Sequence, residues 1–246
     1  MQDLLAGRLP FEWVTARMLS DDPAKGLGGA PDAAMVWPRL RDRLRDATGT
    51  LRLVSPYFVP GAVGVEALAT LARRGVRIAI LTNSLEATDV AVVHSGYAKR
   101  RRALLAAGIA LFELKRASPR PSGKRGGPTG AARSGSSASI LHAKTFAVDC
   151  AQVFIGSFNF DPRSARLNTE MGFLIDSPTL ASALTRRFAE EIPRRAYQVR
   201  WSEGRDLQWV ERRNDGEVVY SREPGAGVGR RSAIRLLSML PIEWLL

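Results

Sequence analysis

Segments with a strand pattern alternate with segments with a helix pattern along most of this chain. Short apolar runs, such as 51–54, 76–81 and 109–114, are separated by stretches whose apolar residues recur every three or four positions. Gly75 and Gly108 each follow a helical stretch, where a residue that tolerates positive φ commonly ends a helix. Alternating strands and helices pack as a sheet with helices on its faces, so the sequence predicts an α/β fold.

The same patterns set approximate bounds for the elements. The predicted helices span 36–47, 63–74, 90–107 and 180–192, and further strands span 141–148, 153–156 and 171–175. Residues 201–220 are typical of a hairpin that turns at Asn214-Asp215-Gly216, with Trp209 and Val219 as apolar partners across it.

Reactive side chains are concentrated near position 150. His142 and Lys144 lie two residues apart in a segment with a strand pattern, so they share a face. The apolar run 153–156 ends in a turn that carries Ser157 and Asn159. An imidazole, an ammonium and two neutral hydrogen-bonding groups suit a phosphoryl group. The sequence therefore predicts a site that handles phosphodiesters.

This arrangement has the form His-x-Lys-x-x-x-x-Asp, followed by Gly-Ser-x-Asn. It resembles the phospholipase D superfamily, whose members cleave or exchange phosphodiesters through a phosphohistidine intermediate. Further segments, at 55–60, 161–164, 168–170 and 240–243, are similar to the bacterial cardiolipin synthases of the C type in that superfamily. The resemblance spans nearly the whole chain. It implies a phospholipase D-like sheet flanked by helices, which forms one catalytic half of a two-half fold, and a phosphatidyltransferase activity in phospholipid biosynthesis.

The resemblance also implies roles for single residues. His142 corresponds to the group that protonates the leaving alkoxide and later takes a proton from the incoming alcohol. The other expected catalytic residues are Lys144, Asp149 and Asn159, and the expected substrate-binding residues are Ser157 and Glu170. Lys144 and Asn159 would bind phosphoryl oxygens, while Asp149 would orient and support. The Glu170 carboxylate would hydrogen-bond a catalytic imidazole of the opposite motif. The mechanism requires no metal ion or cofactor, and one cysteine with two histidines argues against a zinc site. We expect that cysteine, Cys150, to be a small buried residue at a strand end.

The chain departs from the cardiolipin synthases that it resembles in one respect: they have two such motifs, one in each half. The only other histidine, His94, is followed by a lysine five places on and does not fit the motif. We therefore expect this chain to be a C-terminal half, with a turn-rich connector at 1–34 and the catalytic domain at 35–246. Within the connector, Asp21 and Asp22 are interpreted as solvated turn residues. Its expected partner is a missing N-terminal half or a second copy of itself. The apolar segment 234–246 would pack on the missing half or contact a membrane.

The balance of charge favours polyanionic partners. The formal net charge is +12, and residues 116–139 form a Gly-, Ser-, Pro- and Arg-rich loop that contains no acidic residue. An anionic phospholipid surface and nucleic acid both fit this charge. The preferred interpretation is a peripheral protein on the cytoplasmic face of the inner membrane. The alternative is a homodimeric phospholipase D-family nuclease or phosphodiesterase with one motif per chain, which would bind nucleic acid.

Overall fold

The structure is a computed structural model that describes residues 11–116 and 141–240. Its strands are β1 (Ala16–Ser20), β2 (Thr50–Val54), β3 (Arg77–Asn83), β4 (Ala110–Leu114), β5 (Thr145–Val148), β6 (Gln152–Gly156), β7 (Met171–Ile175), β8 (Ala196–Trp201), β9 (Leu207–Arg213) and β10 (Gly216–Tyr220). In the described part of the chain they form one mixed sheet with the order β1-β7-β6-β5-β2-β3-β4-β8-β9-β10.

Helices occupy most of the connections between strands. They are α1 (Val36–Arg45), α2 (Gly61–Arg73), α3 (Ala91–Ala106), α4 (Pro162–Arg166), α5 (Pro178–Glu190), α6 (Ile192–Arg195) and α7 (Val228–Met239). Two short 3-10 helices, Pro23–Leu27 and Asp32–Ala34, lie between β1 and α1. The α/β fold predicted from the alternating pattern is confirmed, and most predicted elements lie within three residues of the observed bounds.

The core lies on both faces of the sheet. On one face, Phe146 of β5 and Phe154 of β6 stack with ring centroids 5.2 Å apart, in a cluster that includes Leu40 of α1. Ala147, the next residue along β5, belongs to a cluster with Ala181 of α5. Because successive strand residues point to opposite faces, α1 and α5 cover opposite sides of the sheet.

Strand pairing brings four chain segments to one edge of the sheet. Val54 at the end of β2 pairs with Thr145 at the start of β5, and Thr145 pairs in turn with Ile155 near the end of β6. β2 and β3 run parallel. The carboxyl ends of β2, β3 and β6 therefore meet the amino end of β5, and we call this place the site edge.

Three local predictions need correction. His142 and Lys144 precede β5 rather than lying within it, although the carbonyl of Lys144 still accepts a hydrogen bond from the Gly156 N–H at 3.1 Å. In the hairpin, Trp209 lies opposite Tyr220, not Val219, because only two residues separate β9 from β10. The side chain of Cys150 is only half-buried, since it lies in the turn after β5.

The segment predicted as a connector takes part in the sheet. Residues 16–20 form the edge strand β1, which pairs antiparallel with β7. The sequence pattern did not predict this strand, because β1 has a single buried residue, Leu19, and so shows almost no apolar alternation.

The two ends of the chain and the basic loop fall partly outside the described residues. Of the loop predicted at 116–139, only Arg116 is described, and residues 241–246 of the apolar C-terminal segment also lie outside. Residues 234–239 of that segment form the second half of α7, whose buried Ile234 packs with Leu85 and Ala226.

Candidate active site

His142 and Lys144 are positioned by the site edge itself. The Asn83 side chain, at the end of β3, forms two hydrogen bonds with the backbone of Leu141: its Nδ2 donates to the carbonyl at 3.4 Å and its Oδ1 accepts from the N–H at 3.2 Å. The next residue, His142, is exposed. Lys144 is half-buried and donates to the His142 carbonyl at 3.1 Å. The two side chains predicted to react and to bind phosphate thus leave the same short extended segment.

Ser157 and Asn159 lie in the turn that follows the carboxyl end of β6. The Ser157 N–H donates to the Met171 carbonyl at 2.8 Å, which continues the pairing of β6 with β7 into the turn. Asn159 is 8% exposed, and its N–H donates to Ser164 Oγ at 3.3 Å. Among the described residues, Asn159 Oδ1 has no hydrogen-bond partner. The amide is therefore not held through its oxygen by the described part of the protein.

The Glu170 carboxylate holds this turn in place through two hydrogen bonds. Its Oε2 accepts from Ser157 Oγ at 2.5 Å, and its Oε1 accepts from Ser164 Oγ at 2.8 Å. The carboxylate is buried. Glu170 was expected to bind substrate or a catalytic imidazole of the opposite motif; in the described residues its two oxygens are engaged by hydroxyls of its own turn.

A buried ion pair supports the turn further. Lys25 Nζ lies 2.5 Å from Asp21 Oδ2 and also donates to the Ser164 carbonyl at 2.7 Å. Asp21 accepts in addition from the N–H of Val36 at 2.6 Å and of Glu170 at 2.8 Å. The interpretation of Asp21 as a solvated turn residue is wrong: its side chain joins the segment after β1 to the site. Sequence offered no signal for this, because Asp21 and Glu170 are far apart in the chain.

Asp149 lies at the other end of β5 from Lys144. Its carboxylate accepts from the backbone N–H groups of Thr48, Gly49 and Thr50 at 2.9, 2.7 and 2.8 Å. Burial raises the pKa of Asp149, but these donors outweigh it and leave the pKa below its ordinary value. The four residues of β5 span about 13 Å, so the structure does not bring Asp149 to Lys144 and Asn159, the residues predicted to bind phosphoryl oxygens. Its place favours the supporting role over a catalytic one.

Two further polar residues lie at the site edge beside β2 and β3. The Tyr57 hydroxyl is 3.1 Å from both carboxylate oxygens of Asp89. Asp89, in the loop after β3, is exposed and was not singled out from the sequence. Its position after the carboxyl end of a parallel strand is the signal that could have found it.

Electrostatics link these groups to Lys144. Burial lowers the pKa of Lys144 below its ordinary value, while the negative charges of Glu170, Asp161 and Asp89 oppose that shift. The three carboxylates therefore act on the Lys144 ammonium from the turn after β6 and from the loop after β3. Asp161 itself has a raised pKa, chiefly because it is buried.

The second histidine serves a different part of the structure. His94, on α3, is buried; its Nε2 lies 2.8 Å from Glu223 Oε1 and 2.7 Å from Arg101 Nη2. Arg101 also pairs with Glu113 at 2.9 Å. This buried network joins α3 to the segment that precedes α7, and a histidine held in it is not free to meet a substrate.

The described residues contain little that would hold a metal ion. No three His, Cys, Asp or Glu side chains of the described ranges come together as a possible metal site. None of the helices in those ranges combines the length and the apolar character needed to cross a bilayer. The chemistry available is that of an exposed imidazole beside an ammonium, a hydroxyl and an amide, which suits transfer of a phosphoryl group with acid/base assistance.

Fold and site together define an α/β domain that presents a His-x-Lys motif at one edge of a mixed sheet. The chain belongs to the phospholipase D-like family, since residues 40–192 match the family described as "Cardiolipin synthase, PLD-like domain". It is 46% identical over 245 residues to cardiolipin synthase C of Escherichia coli, a match that covers 99% of this chain and 50% of that protein. The chain thus spans about half the length of this curated relative.

Solved structures show the same fold. Phosphatidylserine synthase from Haemophilus influenzae superposes with a TM-score of 0.58 at 14% identity, over 94% of this chain and 47% of that one. Nuc from Salmonella typhimurium, a phospholipase D family member, gives a TM-score of 0.52 at 18% identity, over 76% of this chain and 99% of that one. The described sheet and helices thus match one half of a longer chain and nearly the whole of a shorter one.

Proposed function

We propose that this chain supplies the acid/base half of a phosphatidyltransferase that forms cardiolipin-type phospholipids. One observation carries the proposal: the site edge brings His142 and Lys144 together with the turn of Ser157 and Asn159, in a chain 46% identical to cardiolipin synthase C. His142 offers an exposed imidazole, and Lys144, Ser157 and Asn159 offer hydrogen-bond donors for phosphoryl oxygens.

The proposed chemistry has two steps. A histidine of a second half attacks the phosphorus of a phospholipid, the bond to the leaving alkoxide breaks, and His142 gives that alkoxide a proton. In the second step, His142 takes the proton of an incoming alcohol, whose oxygen attacks the phosphorus and releases the other histidine. Lys144 and the Asn159 amide would stabilise the charge on the non-bridging oxygens in both steps. His142 is exposed, which leaves its ring accessible to a bound phospholipid and to an incoming alcohol.

The nucleophilic histidine must come from outside these 246 residues. The chain has two histidines, and the second, His94, is buried against Glu223 and Arg101. The partner is a second phospholipase D-like half with its own His-x-Lys motif, on the same longer polypeptide or on a separate one, including a second copy of this chain.

An exposed apolar row gives such a partner a surface beside the site. Met18 of β1 pairs with Phe173 of β7, which pairs with Ile155 of β6, and cross-strand partners share a face. The three side chains are 59%, 43% and 49% exposed. Ile155 comes two residues before Ser157, so the row runs to the site edge. Large apolar side chains left in contact with water mark an interaction surface, and a second half seated here would lie against the reacting groups.

An anionic bilayer surface is the second proposed partner. The net charge of +12 attracts acidic headgroups, and the proposed substrates are themselves bilayer lipids. We therefore propose peripheral association with the membrane.

A panel of substrates tests the function. The chain is combined with the half of E. coli cardiolipin synthase C that it does not match, and the mixture is given phosphatidylglycerol vesicles or a DNA oligonucleotide. We expect cardiolipin and free glycerol from the vesicles, and no product when His142→Ala replaces the wild type. Arg213→Gln, a change on β9 away from the site edge, is the matched control and should retain activity. Cleavage of DNA without lipid transfer would contradict the proposal in favour of a nuclease.

A further inference from the structure

Helix α7 carries an apolar stripe on the face that points away from the rest of the protein. Its buried residue, Ile234, packs toward α3 and the loop before it. Val228, Leu236 and Met239 are 69%, 65% and 69% exposed. At about 100° per residue, these three side chains lie within about 80° of one another and about 120° or more from Ile234. A surface helix normally has a polar outer face, so this stripe marks an interaction surface.

The stripe on α7 is separate from the apolar row that is proposed to bind a second half. Helix α7 packs on α3, whose buried Leu104 belongs to the same core cluster as Phe154 of β6. Ile155, a member of the apolar row, is the next residue after Phe154 and therefore points to the other face of the sheet. A second half seated on the row thus lies on the opposite side of the sheet from α7.

The charge of α7 fits an anionic surface. The helix contains Arg230, Arg231 and Arg235 and no acidic residue. Between 221 and 240 the only acidic residue is Glu223, which is paired within the buried network of α3. Arg235 is exposed beside the stripe. An apolar face bordered by arginine is typical of helices that lie in the headgroup layer of an anionic bilayer.

Helix α7 is attached to the loop that follows β3 at the site edge. Arg230 Nη2 donates a hydrogen bond to the Thr88 carbonyl at 2.9 Å. Thr88 lies in the loop between β3 and α3, one residue before Asp89. A bilayer that binds α7 would therefore lie close to the loop that borders the site.

We propose that α7 is a membrane-contact helix, which places Val228, Leu236 and Met239 in the headgroup layer of an anionic bilayer while Arg235 binds acidic headgroups. The helix holds the chain on the surface from which the phospholipid substrates are taken. This inference deepens the proposed function and rests on it, because it assigns a surface to the proposed membrane association.

Co-sedimentation of the 246-residue chain with vesicles tests the helix without requiring turnover. One set of vesicles contains phosphatidylglycerol and phosphatidylcholine, and the other contains phosphatidylcholine alone. The wild type should bind the anionic set more tightly. The double variant Leu236→Ser/Met239→Ser should weaken that binding about tenfold, because two apolar side chains no longer enter the bilayer. Arg235→Gln should weaken it several-fold at low salt and reduce its salt dependence.

Matched variants keep the test specific to α7. Leu180→Ser/Val219→Ser changes two side chains that are 44% and 56% exposed, one on α5 on the opposite face and one on β10 at the end of the sheet. Arg194→Gln, an exposed change on α6, is the control for Arg235→Gln. Both controls should bind vesicles as the wild type does. Lys144→Gln should also retain vesicle binding, because Lys144 is not part of the helix surface. Urea unfolding should show that all variants remain folded.

The outcomes separate the helix from the function on which it rests. If the double variant of α7 binds anionic vesicles as tightly as the wild type, the helix is not the contact and the proposed membrane association stands. If the wild type does not prefer anionic vesicles, both the helix and the anionic bilayer partner are contradicted. Loss of vesicle binding in Lys144→Gln would show that the chain meets the bilayer through its site, which overturns the role of α7.

The second half is the competing occupant of the stripe. The double variant of α7 should keep the affinity of the wild type for the unmatched half of E. coli cardiolipin synthase C, as measured by sedimentation. If it loses that affinity and keeps its vesicle binding, α7 packs on the second half and the membrane-contact helix is wrong.

Discussion

The Ser157 hydroxyl donates a hydrogen bond to Glu170 Oε2 at 2.5 Å, and Oε1 of the same carboxylate accepts a hydrogen bond from the Ser164 hydroxyl. One buried acid thus fixes both ends of the turn that carries Asn159. Glu170 thus holds the turn that is proposed to bind a phosphoryl group, and the Glu170 N–H donates to Asp21 Oδ2 at 2.8 Å.

Glu170→Gln should loosen that turn. The substitution replaces one acceptor oxygen with an NH₂ group, so either Ser157 or Ser164 loses its partner inside the protein. We expect the free energy of unfolding to fall by about 1–2 kcal/mol and phosphodiester binding to weaken. Urea titration measures the first and calorimetry the second, with the exposed Glu190→Gln on α5 as control. Unchanged stability together with lost turnover would instead support the predicted contact with the imidazole of another half.

Asp149→Ala should act on stability and not directly on chemistry. It removes the acceptor of three backbone N–H groups, and we expect a loss of about 2 kcal/mol at neutral pH. Because the folded-state pKa of Asp149 lies below its ordinary 3.8, the stabilisation is present above pH 3.8 and is lost as the pH falls through the lowered value. Urea unfolding of both proteins should show a gap at pH 7 that narrows below pH 3.8. A stable variant that has lost all activity would place Asp149 among the reacting groups.

Lys144 should set the alkaline limit of phosphodiester binding. Burial lowers its pKa from the ordinary 10.5, so the ammonium is lost, and binding with it, at a lower pH than for a solvated lysine. Titration of dimethyl phosphate binding between about pH 7 and 11 should show this decline for the wild type. Lys144→Arg keeps its charge throughout and should retain binding to higher pH. If binding by the wild type and by Lys144→Arg declines over the same pH range, a group other than Lys144 sets the alkaline limit.

Phe173→Ser should weaken assembly with a second half. The change removes the central side chain of the apolar row, and sedimentation of the chain with the unmatched half of E. coli cardiolipin synthase C should show a several-fold loss of affinity. Val219→Ser is a matched control, because Val219 is 56% exposed on β10 at the opposite end of the sheet. If the two variants have the same affinity for the second half, that half does not bind this face.

The parts of the fold that depend on local pattern could be predicted from the sequence. The alternation of strands and helices, the turn at Ser157 and Asn159 and the pairing of His142 with Lys144 all follow from residues near one another in the chain. The motif spacing also contained information about Asp149 that the family resemblance obscured: Asp149 comes five positions after Lys144, with the four residues of β5 between them, which is about 17 Å along a strand.

Contacts between distant segments could not be predicted in this way. From the sequence alone, Asp21 is predicted to be a polar turn residue. In the structure, the pairing of β1 with β7 brings the Asp21 carboxylate to the N–H of Glu170. Asp89 reaches the same end of the sheet as Lys144 only because β3 is parallel to β2 and β2 pairs with β5. Both positions depend on strand order, which local periodicity does not determine.

The rate of cardiolipin formation by the purified chain, alone and with a second half, tests the central claim most directly. Phosphatidylglycerol vesicles and a chelator of divalent ions are present throughout. We predict no cardiolipin from the monomeric chain alone, product when the unmatched half of E. coli cardiolipin synthase C is added, and loss of that product with His142→Ala. Sustained formation by the monomeric chain alone, or by the His142→Ala mixture, would contradict the claim that His142 is one of two reacting histidines and that the other comes from outside these 246 residues.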